Sequence, residues 1–531
     1  MYSKMCPFFF PQRLALGALL LLIQFSGLAF VTPANGSDET NRVLDVGNSR
    51  QMFIDGRFFA TSNKVELVVH QPKKTGERTI VADRPWEKEG IDIYCCAMQV
   101  GAAYHLWYPT DKGLCYARSK DGIKWDKPNL GLAEFQGSRE NNIVIGRGAG
   151  GIEQCGSEGT VFYDGTAPED QRFRYATRIS DELKGTMVFS SPDGIHFRQT
   201  HTNILTFTQA EGRQHLDSQN IIFWDDRINK YVAYMRRNQF KPAFRGRSVA
   251  RSESDRLGGF PEVQDTPIVL TTDALDATLG GKPVVDYYTS GAMKYPWAQD
   301  VYFIFPQVYF HYLGGGVLGE FPKQAPVNSG PLDTQFGASR DGITWQRFGR
   351  RPYVSLGMKG DFDSKNARVF SGLVLSVDGR EMYQYYLGSD TLHGWGRDER
   401  NNRLFAEAGL APEETNSVVS RLVLRRDGFI SVRAAYEGGE FITPLMRFSG
   451  SELSLNVDTS ATGLLRCELL GENNKPIEGY ALGDCDMIHT ANDIDRVVKW
   501  KGHSILSGLA GKPVRVRVVF RDTDLYAFQF K

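Results

Sequence analysis

"GASRDGITWQR", residues 337–347, is the clearest copy of a pattern, S-x-D-G-x-x-W, that recurs along this chain of 531 residues. The pattern returns as "ARSKDGIKWDK" (residues 117–127) and, with Phe in place of Trp, as "SSPDGIHFRQ" (residues 190–199). Asp-Gly supplies the positive-φ positions of a tight hairpin turn, and the Ser and Asp side chains can bond nearby backbone N–H groups. The aromatic ring of the Trp or Phe is suited to packing beneath the turn. We therefore expect Asp341 to have a structural role rather than a catalytic one.

The spacing of these turns predicts a repeated β architecture. The Asp-Gly pair falls at Asp121, Asp193, Asp341 and, in a weaker copy "RRDGFISV", at Asp427. The first two are 72 residues apart and the next interval is 148, about twice that; the segment "VARSESDRLGGF" fills the gap after losing its Asp-Gly and Trp. Five units then span residues 50 to 435. A period of this size made of strands and turns predicts an all-β protein with a five-bladed β-propeller over residues 45–435.

The pattern changes after residue 440. The runs "ELSLNVD", "LLRCELL", "VRVRVVF" and "LYAFQF" alternate apolar and polar residues between turn clusters. Alternation of period two predicts an antiparallel β-sandwich over residues 440–531. The glycine-containing segment "YEGG", residues 436–439, is the predicted linker.

The N-terminus has the features of an export signal. Lys4 and Arg13 precede an apolar run from residue 14 to 31, and a small residue, Ala34, follows where a signal peptidase could cut. The alternative is a membrane anchor, because the run nearly reaches spanning length. We expect residues 1–34 to be a cleaved signal peptide and the mature protein to be secreted or periplasmic, without a membrane segment.

Charge and cysteine content limit the kinds of partner. The 62 basic and 62 acidic side chains argue against nucleic-acid binding, which needs a basic excess. Cys467 and Cys485 lie in one C-terminal segment and could form a disulfide in an exported chain, but the sequence does not decide this. We found no cysteine or histidine spacing typical of a metal site, so neither a metal nor another cofactor is expected. The sequence does not indicate an oligomeric state.

Carboxylates begin several of the predicted innermost strands. A propeller binds ligands at one mouth of its central channel, where the innermost strands begin. These strands start at Asp92, Glu158, Asp217, Tyr288 and Asp363. Converging carboxylates suit glycoside hydrolysis, in which one acid protonates the leaving oxygen and another carboxylate activates water or attacks the sugar. We therefore take the first three as catalytic candidates. The alternative is that such acids cap strand starts or pair with channel arginines.

Residues beside the same strand starts are candidates for sugar binding. They offer aromatic rings, amides and charged groups. The predicted substrate-binding residues are His215, Gln219, Asn220, Tyr295, Trp297, Asp363, Asn366 and Arg368. Trp395, in the loop "DTLHGWGRDERNN", is a candidate for the rim.

These features resemble a known superfamily. The five-unit period, the turn pattern and the strand pair "LDSQNIIFWDDRINKYVAYMRR" are similar to the five-bladed propeller glycoside hydrolases of families 32, 43 and 68, which include invertase, levansucrase and arabinanase. The tail from "GGEFITPLMRF" to "DLYAFQFK" resembles the β-sandwich that follows the propeller in exported bacterial members. The resemblance covers roughly residues 45 to 531.

The resemblance implies three acids at the channel mouth. Asp92 matches the base or nucleophile of the first blade, and Asp217 matches an Asp of a later blade. Glu158 is the only Glu at a strand start, but it comes earlier than the family's acid. The N-D-P-N and R-D-P signatures of the fructan-cleaving enzymes are absent from this sequence, so invertase activity is not expected.

The sequence therefore favours an exported glycoside hydrolase with a carbohydrate substrate. The width of a propeller channel favours an inverting mechanism, in which the two carboxyl groups are far enough apart to admit water. Two alternatives remain: a glycan-binding propeller without catalysis, and a structural scaffold.

Overall fold

The computed structural model describes residues 43–147, 158–178, 185–208, 215–241, 244–279, 282–312 and 329–531. Regular structure in these ranges is almost entirely β. The predicted signal peptide, residues 1–34, lies outside them. In the part of the chain that is described, no helix has the length and apolar character needed to cross a membrane.

The first half of the chain forms twenty strands. In chain order they are β1 (Leu44–Gly47), β2 (Gln51–Met52), β3 (Thr61–Asn63), β4 (Val65–Val69), β5 (Lys73–Lys74), β6 (Cys96–Val100), β7 (Ala103–Thr110), β8 (Gly113–Ser119), β9 (Trp125–Asp126), β10 (Ile143–Gly146), β11 (Thr160–Tyr163), β12 (Phe173–Arg178), β13 (Gly185–Ser191), β14 (Arg198–Thr206), β15 (Ile221–Asp225), β16 (Lys230–Lys241), β17 (Phe244–Ser254), β18 (Ile268–Leu270), β19 (Thr278–Leu279) and β20 (Lys282–Pro283).

The second half adds eighteen strands. They are β21 (Val285–Tyr287), β22 (Met293–Lys294), β23 (Tyr302–Ile304), β24 (Gln307–Phe310), β25 (Leu332–Thr334), β26 (Gly337–Ser339), β27 (Gln346–Arg347), β28 (Asn366–Val369), β29 (Val374–Leu375), β30 (Glu381–Ser389), β31 (Val418–Arg425), β32 (Ile430–Ala434), β33 (Gly439–Ile442), β34 (Met446–Phe448), β35 (Leu453–Leu470), β36 (Ile488–His489), β37 (Asn492–Val497) and β38 (Arg515–Phe530). One α-helix, α1 (Glu399–Glu407), lies between β30 and β31, and short 3-10 turns cover Gly56–Phe58, Pro85–Glu87, Glu169–Gln171, Val263–Asp265 and Ser507–Leu509.

Four sheets have a propeller-like arrangement. Sheet I runs β6-β7-β8-β10, with β9 also paired to β8; sheet II runs β11-β12-β13-β14; sheet III runs β15-β16-β17-β18; sheet IV runs β22-β23-β26-β27. The strands within each are antiparallel neighbours, as in propeller blades. Apolar clusters fill the spaces between successive sheets: Trp107 and Tyr116 of sheet I share one with Phe173 and Phe189 of sheet II.

An eight-stranded sheet follows sheets I–IV. Its order is β21-β24-β25-β28-β30-β31-β5, with β29 on β30. Sheets I–IV and the eight-stranded sheet are together called the ring. β25 and β28 meet at a single parallel pair, Leu332 with Asn366. The N-terminal strand β5 pairs with β31, and a parallel bridge joins Cys96 of sheet I to Ser371, just after β28. The two ends of the ring are therefore in contact.

A nine-stranded sheet joins both ends of the chain. β35 and β38 pair antiparallel along most of their length, and β38 also pairs with β2, β32 and β33. β3 pairs with β33 and β4 with β32. Residues 51–69 therefore belong to this sheet, whereas the sequence analysis grouped them with the propeller. Their partners are distant in sequence, and local strand patterns carry no information on such pairing.

The repeated turns have the predicted structural role. Asp341 Oδ1 accepts hydrogen bonds from the Ile343 and Thr344 amides, both at 2.8 Å, and from Ser339 Oγ at 2.8 Å. Asp121 and Asp193 make the same three contacts in their own turns. The prediction that these aspartates are structural is confirmed.

Each turn also receives a hydrogen bond from a neighbouring sheet. Trp107 Nε1 of sheet I donates to the carbonyl of Gly194 in sheet II at 2.7 Å. Tyr234 Oη donates to Gly342 O at 2.6 Å, and Tyr385 Oη donates to Gly122 O at 2.6 Å. The pattern therefore recurs because it links successive sheets as well as turning the chain.

A glycine substitution tests this link. Gly194 has φ +76°, and a Cβ there would lie 2.7 Å from Trp107 Cζ2. We expect Gly194→Ala to lower the free energy of unfolding by about 2 kcal/mol or more, from backbone strain plus overpacking. Gly131→Ala is the matched control, because Gly131 has φ +73° and open space around it. Equal losses in urea unfolding of the two variants would contradict the packing role.

The cysteines considered for a disulfide are neighbours in the nine-stranded sheet region. The Cys467 amide donates to Cys485 Sγ at 3.3 Å. Both are free thiols in this structure, and their oxidation in an exported protein stays a prediction.

Candidate active site

One pocket collects the three acids predicted to be catalytic. It has a volume of about 480 Å³, and Asp92, Glu158 and Asp217 all line it. Asp92 precedes β6, Glu158 precedes β11 and Asp217 precedes β15. The acids converge because the first strands of sheets I, II and III begin at the same end of the ring.

Asp217 is held by two arginines. Its carboxylate lies 3.0 Å from Arg178 Nη1 and 3.3 Å from Arg236 Nη1. Arg236 is buried and also donates to the Asp217 carbonyl. Two cations stabilise the charged form of an acid, so Asp217 is suited to positioning and to setting the local field rather than to donating a proton.

Glu158 is the acid best suited to holding a proton. Burial raises the pKa of its carboxyl above the ordinary range, and the negative charges of Asp92 and Asp217 act in the same direction. Its own backbone amide and Arg178 oppose the rise without cancelling it. A carboxyl with a raised pKa is the kind of group that serves as a general acid.

Glu158 and Asp217 share one arginine nitrogen. Arg178 Nη1 lies 3.7 Å from Glu158 Oε1 and 3.0 Å from Asp217 Oδ1. The sum of these distances is an upper limit on the separation of the two carboxylate oxygens. The two groups are therefore close enough for the charge of Asp217 to influence the protonation of Glu158.

Two hydrogen bonds hold Asp92 in place, one from its backbone amide and one to its side chain. Its amide donates to Pro109 O at 2.9 Å, and its Oδ1 accepts from the Ile93 amide at 2.6 Å. No ion pair within 4 Å involves Asp92 in the described part of the chain. A carboxylate at a pocket wall with a free oxygen is able to take a proton from water.

Two of the predicted substrate-binding residues line the pocket. They are Asn366 and Arg368 of β28. Asn366 also accepts from the Leu332 amide at 2.9 Å and donates to Thr391 O, so it fixes the loop that follows β30. Trp395, the predicted rim residue, is partly exposed and lines the pocket as well.

Three others, His215, Gln219 and Asn220, form hydrogen bonds with backbone groups. His215 Nδ1 accepts from the Asn238 amide at 3.2 Å. Gln219 Nε2 donates to Gly159 O at 3.0 Å, and Asn220 Nδ2 donates to Ser218 O at 2.8 Å. They satisfy backbone groups and are not among the residues that line the pocket. Their binding of substrate stays a prediction.

Tyr295 and Trp297 lie in an apolar core. The Tyr295 ring is fully buried, stands edge-on to Trp297 at 5.1 Å and packs on Phe429. Its hydroxyl donates to Asp427 at 2.6 Å. Both rings follow β22 (Met293–Lys294) and are not among the residues that line the pocket. Their contact with sugar stays a prediction.

Asp363 supports the fold instead of the pocket. Its Oδ2 accepts from Lys74 Nζ at 2.6 Å and from Tyr386 Oη at 2.8 Å. Lys74 belongs to β5, so this acid helps to fasten the N-terminal strand to the ring. Asp363 is not among the residues that line the pocket, and its role in substrate binding stays a prediction.

The sequence analysis missed a Tyr-His cluster at the pocket. Tyr288 Oη and Tyr309 Oη each lie 3.2 Å from a ring nitrogen of His393. Arg247 stacks on the Tyr288 ring at 5.1 Å and pairs with Asp286 at 3.0 Å. Tyr288 and His393 line the pocket. Tyr288 directly follows β21 (Val285–Tyr287), and its predicted place at the start of an inner strand was the signal available in the sequence.

Metal binding has no structural support in the ranges described. They contain no group of three or more His, Cys, Asp or Glu side chains placed to hold an ion.

Comparison with known proteins gives only remote similarities. No family model and no curated protein matches the chain. Among solved structures, it is similar to a thermostable family-43 glycoside hydrolase, with 13% identity, 65% of this chain and 92% of that chain covered, and a TM-score of 0.42. It is also similar to an N-acetylgalactosamine deacetylase from F. plautii solved with blood group B trisaccharide, with 13% identity, coverage of 73% and 96%, and a TM-score of 0.39.

A further similar structure comes from work describing glycoside hydrolases of family GH130 that target β-1,2 mannosidic linkages in Candida mannan. It has 12% identity, covers 70% of this chain and 96% of that chain, and has a TM-score of 0.40. At this distance, the function of the chain has to be argued from its own residues.

Proposed function

We propose that this protein is an exported glycoside hydrolase whose active site is the pocket lined by Asp92, Glu158 and Asp217. The observation that carries the proposal is the difference between the three acids. Burial raises the pKa of Glu158, two arginines form ion pairs with Asp217, and Asp92 has a free oxygen at the pocket wall. Acids kept in different protonation states in one pocket are what glycoside cleavage requires.

The proposed reaction is a single displacement. Asp92 takes a proton from water, and the water oxygen attacks the anomeric carbon. The bond from that carbon to the leaving oxygen breaks, and Glu158 gives its proton to this oxygen. Asp217 and Arg178 orient Glu158. This is an inverting route, and NMR of the first-formed anomer distinguishes it from a retaining one.

We also propose five blades and a sandwich for the fold. Sheet IV and β21, β24 and β25 are two parts of one blade, because they share continuous chain segments. β28, β30, β31 and β5 form the fifth, and the lone β25–β28 pair joins the two. The nine-stranded sheet forms the sandwich. We place the propeller between residues 73 and 425 and assign residues 51–69 to the sandwich with 430–531, because those strands pair there.

A substrate survey tests the proposed function. The protein is incubated with oligosaccharides of varied sugar and linkage, and products are detected by mass spectrometry together with ligand binding by calorimetry. We expect hydrolysis of at least one glycan class. Binding without any product from any substrate would contradict the proposal.

That contradicting result would support a second candidate, glycan binding without catalysis. The ion pairs of Asp217 with two arginines support this candidate, because a scaffold without catalysis would also keep an acid paired in this way.

The pH profile gives a further prediction. Hydrolysis needs Glu158 protonated, so the rate falls as pH rises through its pKa. Asp217→Asn removes a negative charge that raises this pKa and leaves Arg178 free to lower it. Both changes favour the charged form of Glu158. We therefore expect the alkaline limb of kcat/KM to move to lower pH, with activity kept on the acid side.

The control for this profile is Asp255→Asn, because the Asp255 side chain is 88% exposed. An alkaline limb that stays in place in Asp217→Asn, or moves to higher pH, would show that Asp217 does not set the protonation of Glu158.

A further inference from the structure

Arg368 differs from the other arginines around the pocket. It is buried, lines the pocket, and its Nε has no hydrogen-bond partner among the described residues. Arg178, Arg236 and Arg247 are each paired with a carboxylate, at 3.0, 3.3 and 3.0 Å. In the described part of the chain, no carboxylate lies within 4 Å of Arg368. The pocket therefore contains a buried cation that has no ion pair within 4 Å among the described residues.

A buried charge of this kind is costly to the free protein. Guanidinium stays charged under all ordinary conditions, and its removal from water is repaid only by an anion or by well-placed acceptors. Burial lowers the pKa of Arg368, with the charges of nearby acidic groups opposing the shift only in part. A ligand that brings an anion into the pocket would satisfy this side chain.

Two of the acids that line the pocket have cationic partners of their own. Asp217 is neutralised by its two arginines, and the raised pKa of Glu158 favours its uncharged form. Asp111, another lining acid, is paired with Lys112 at 2.7 Å. Asp92 has no ion pair within 4 Å among the described residues, and it faces the water in the proposed reaction.

We propose that the pocket selects a sugar ring carrying a carboxylate, a uronic acid, and that Arg368 binds this carboxylate through two parallel N–H···O bonds. The proposal rests on the proposed function and names its substrate class. The planar fork of guanidinium matches a carboxylate in two-point contact. In a hexuronate the carboxylate is attached to C5, which the ring oxygen connects to the anomeric carbon. Arg368 and Asp92 both line the pocket, so a bound uronate would present its carboxylate to Arg368 and its anomeric carbon to the water held by Asp92.

Paired ligands isolate the carboxylate. The full chain is titrated by calorimetry with galacturonate and glucuronate oligosaccharides, each compared with its methyl ester, which keeps the ring and removes the charge. We expect at least one acid to bind at least tenfold more tightly than its ester. Arg368→Gln abolishes this preference, Arg368→Lys keeps part of it, and Arg400→Gln, at an exposed arginine on α1, leaves it unchanged.

Equal binding of every acid and its ester, or a preference that survives in Arg368→Gln, would overturn the inference. If Arg368→Gln does not fold, the Arg368→Lys variant and the acid-to-ester ratio of the native protein still decide it. Hydrolysis of neutral glycans without an acid preference would leave the proposed function standing and remove this substrate class. Tighter binding of a uronic acid than of its ester, without hydrolysis, would contradict the proposed function and leave the inferred ligand class standing.

Discussion

Glu158→Gln is expected to lower kcat/KM for unactivated glycosides by about 10²–10⁴-fold, the range typical of a lost general acid. Glutamine has nearly the same shape but no proton to give to the leaving oxygen. Substrates with an acidic leaving group, such as dinitrophenyl glycosides, need little protonation, so their cleavage should change far less. The measurement is the ratio of the two rates in the native protein and in the variant.

The matched control is Glu169→Gln, because the Glu169 side chain is 89% exposed. It should leave both rates unchanged. Equal losses on both kinds of substrate in Glu158→Gln would mean that the residue supports the pocket without acting as the acid.

Asp427→Asn is expected to cost about 3–5 kcal/mol of folding free energy, as breaking a buried ion pair does. Asp427 is fully buried and accepts from Arg50 Nε at 2.5 Å, from Tyr295 Oη at 2.6 Å and from Asn456 Nδ2 at 3.0 Å. These donors come from the N-terminal segment, the ring and the nine-stranded sheet. The substitution removes one of the two carboxylates that pair with the buried Arg50 and leaves Asp495, at 3.1 Å, as the other.

Urea unfolding followed by fluorescence measures this loss. The exposed Asp255→Asn variant is the control and should stay within about 0.5 kcal/mol of the native protein. A loss below about 1 kcal/mol in Asp427→Asn would contradict the role of this network in joining the three parts of the chain.

The sequence predicted those features that depend on local chemistry. The turn at Asp341 is determined by its own Ser, Asp and Gly, so a short pattern was enough to assign it. The meeting of Asp92, Glu158 and Asp217 in one pocket followed from strand starts that recur at the sheet period.

Other features depend on contacts that are remote in sequence. Residues 51–69 pair with strands near the C-terminus, and no local pattern reports this partner. Tyr295 looked like a sugar-binding aromatic, but the structure buries it in an apolar core with residues that are distant in sequence. Gln219 is polar because backbone carbonyls of two neighbouring sheets need a donor. Side-chain type indicated polarity in these cases, and only the three-dimensional structure identified the partner.

The central claim is that the Asp92–Glu158 pocket cleaves glycosidic bonds. Its most direct test is product release from the best glycan of the survey by the native protein, Asp92→Asn and the control Asp255→Asn. We predict release by the native protein and the control, and a loss of about 10²-fold or more in Asp92→Asn. Release by Asp92→Asn at the native rate would contradict the account.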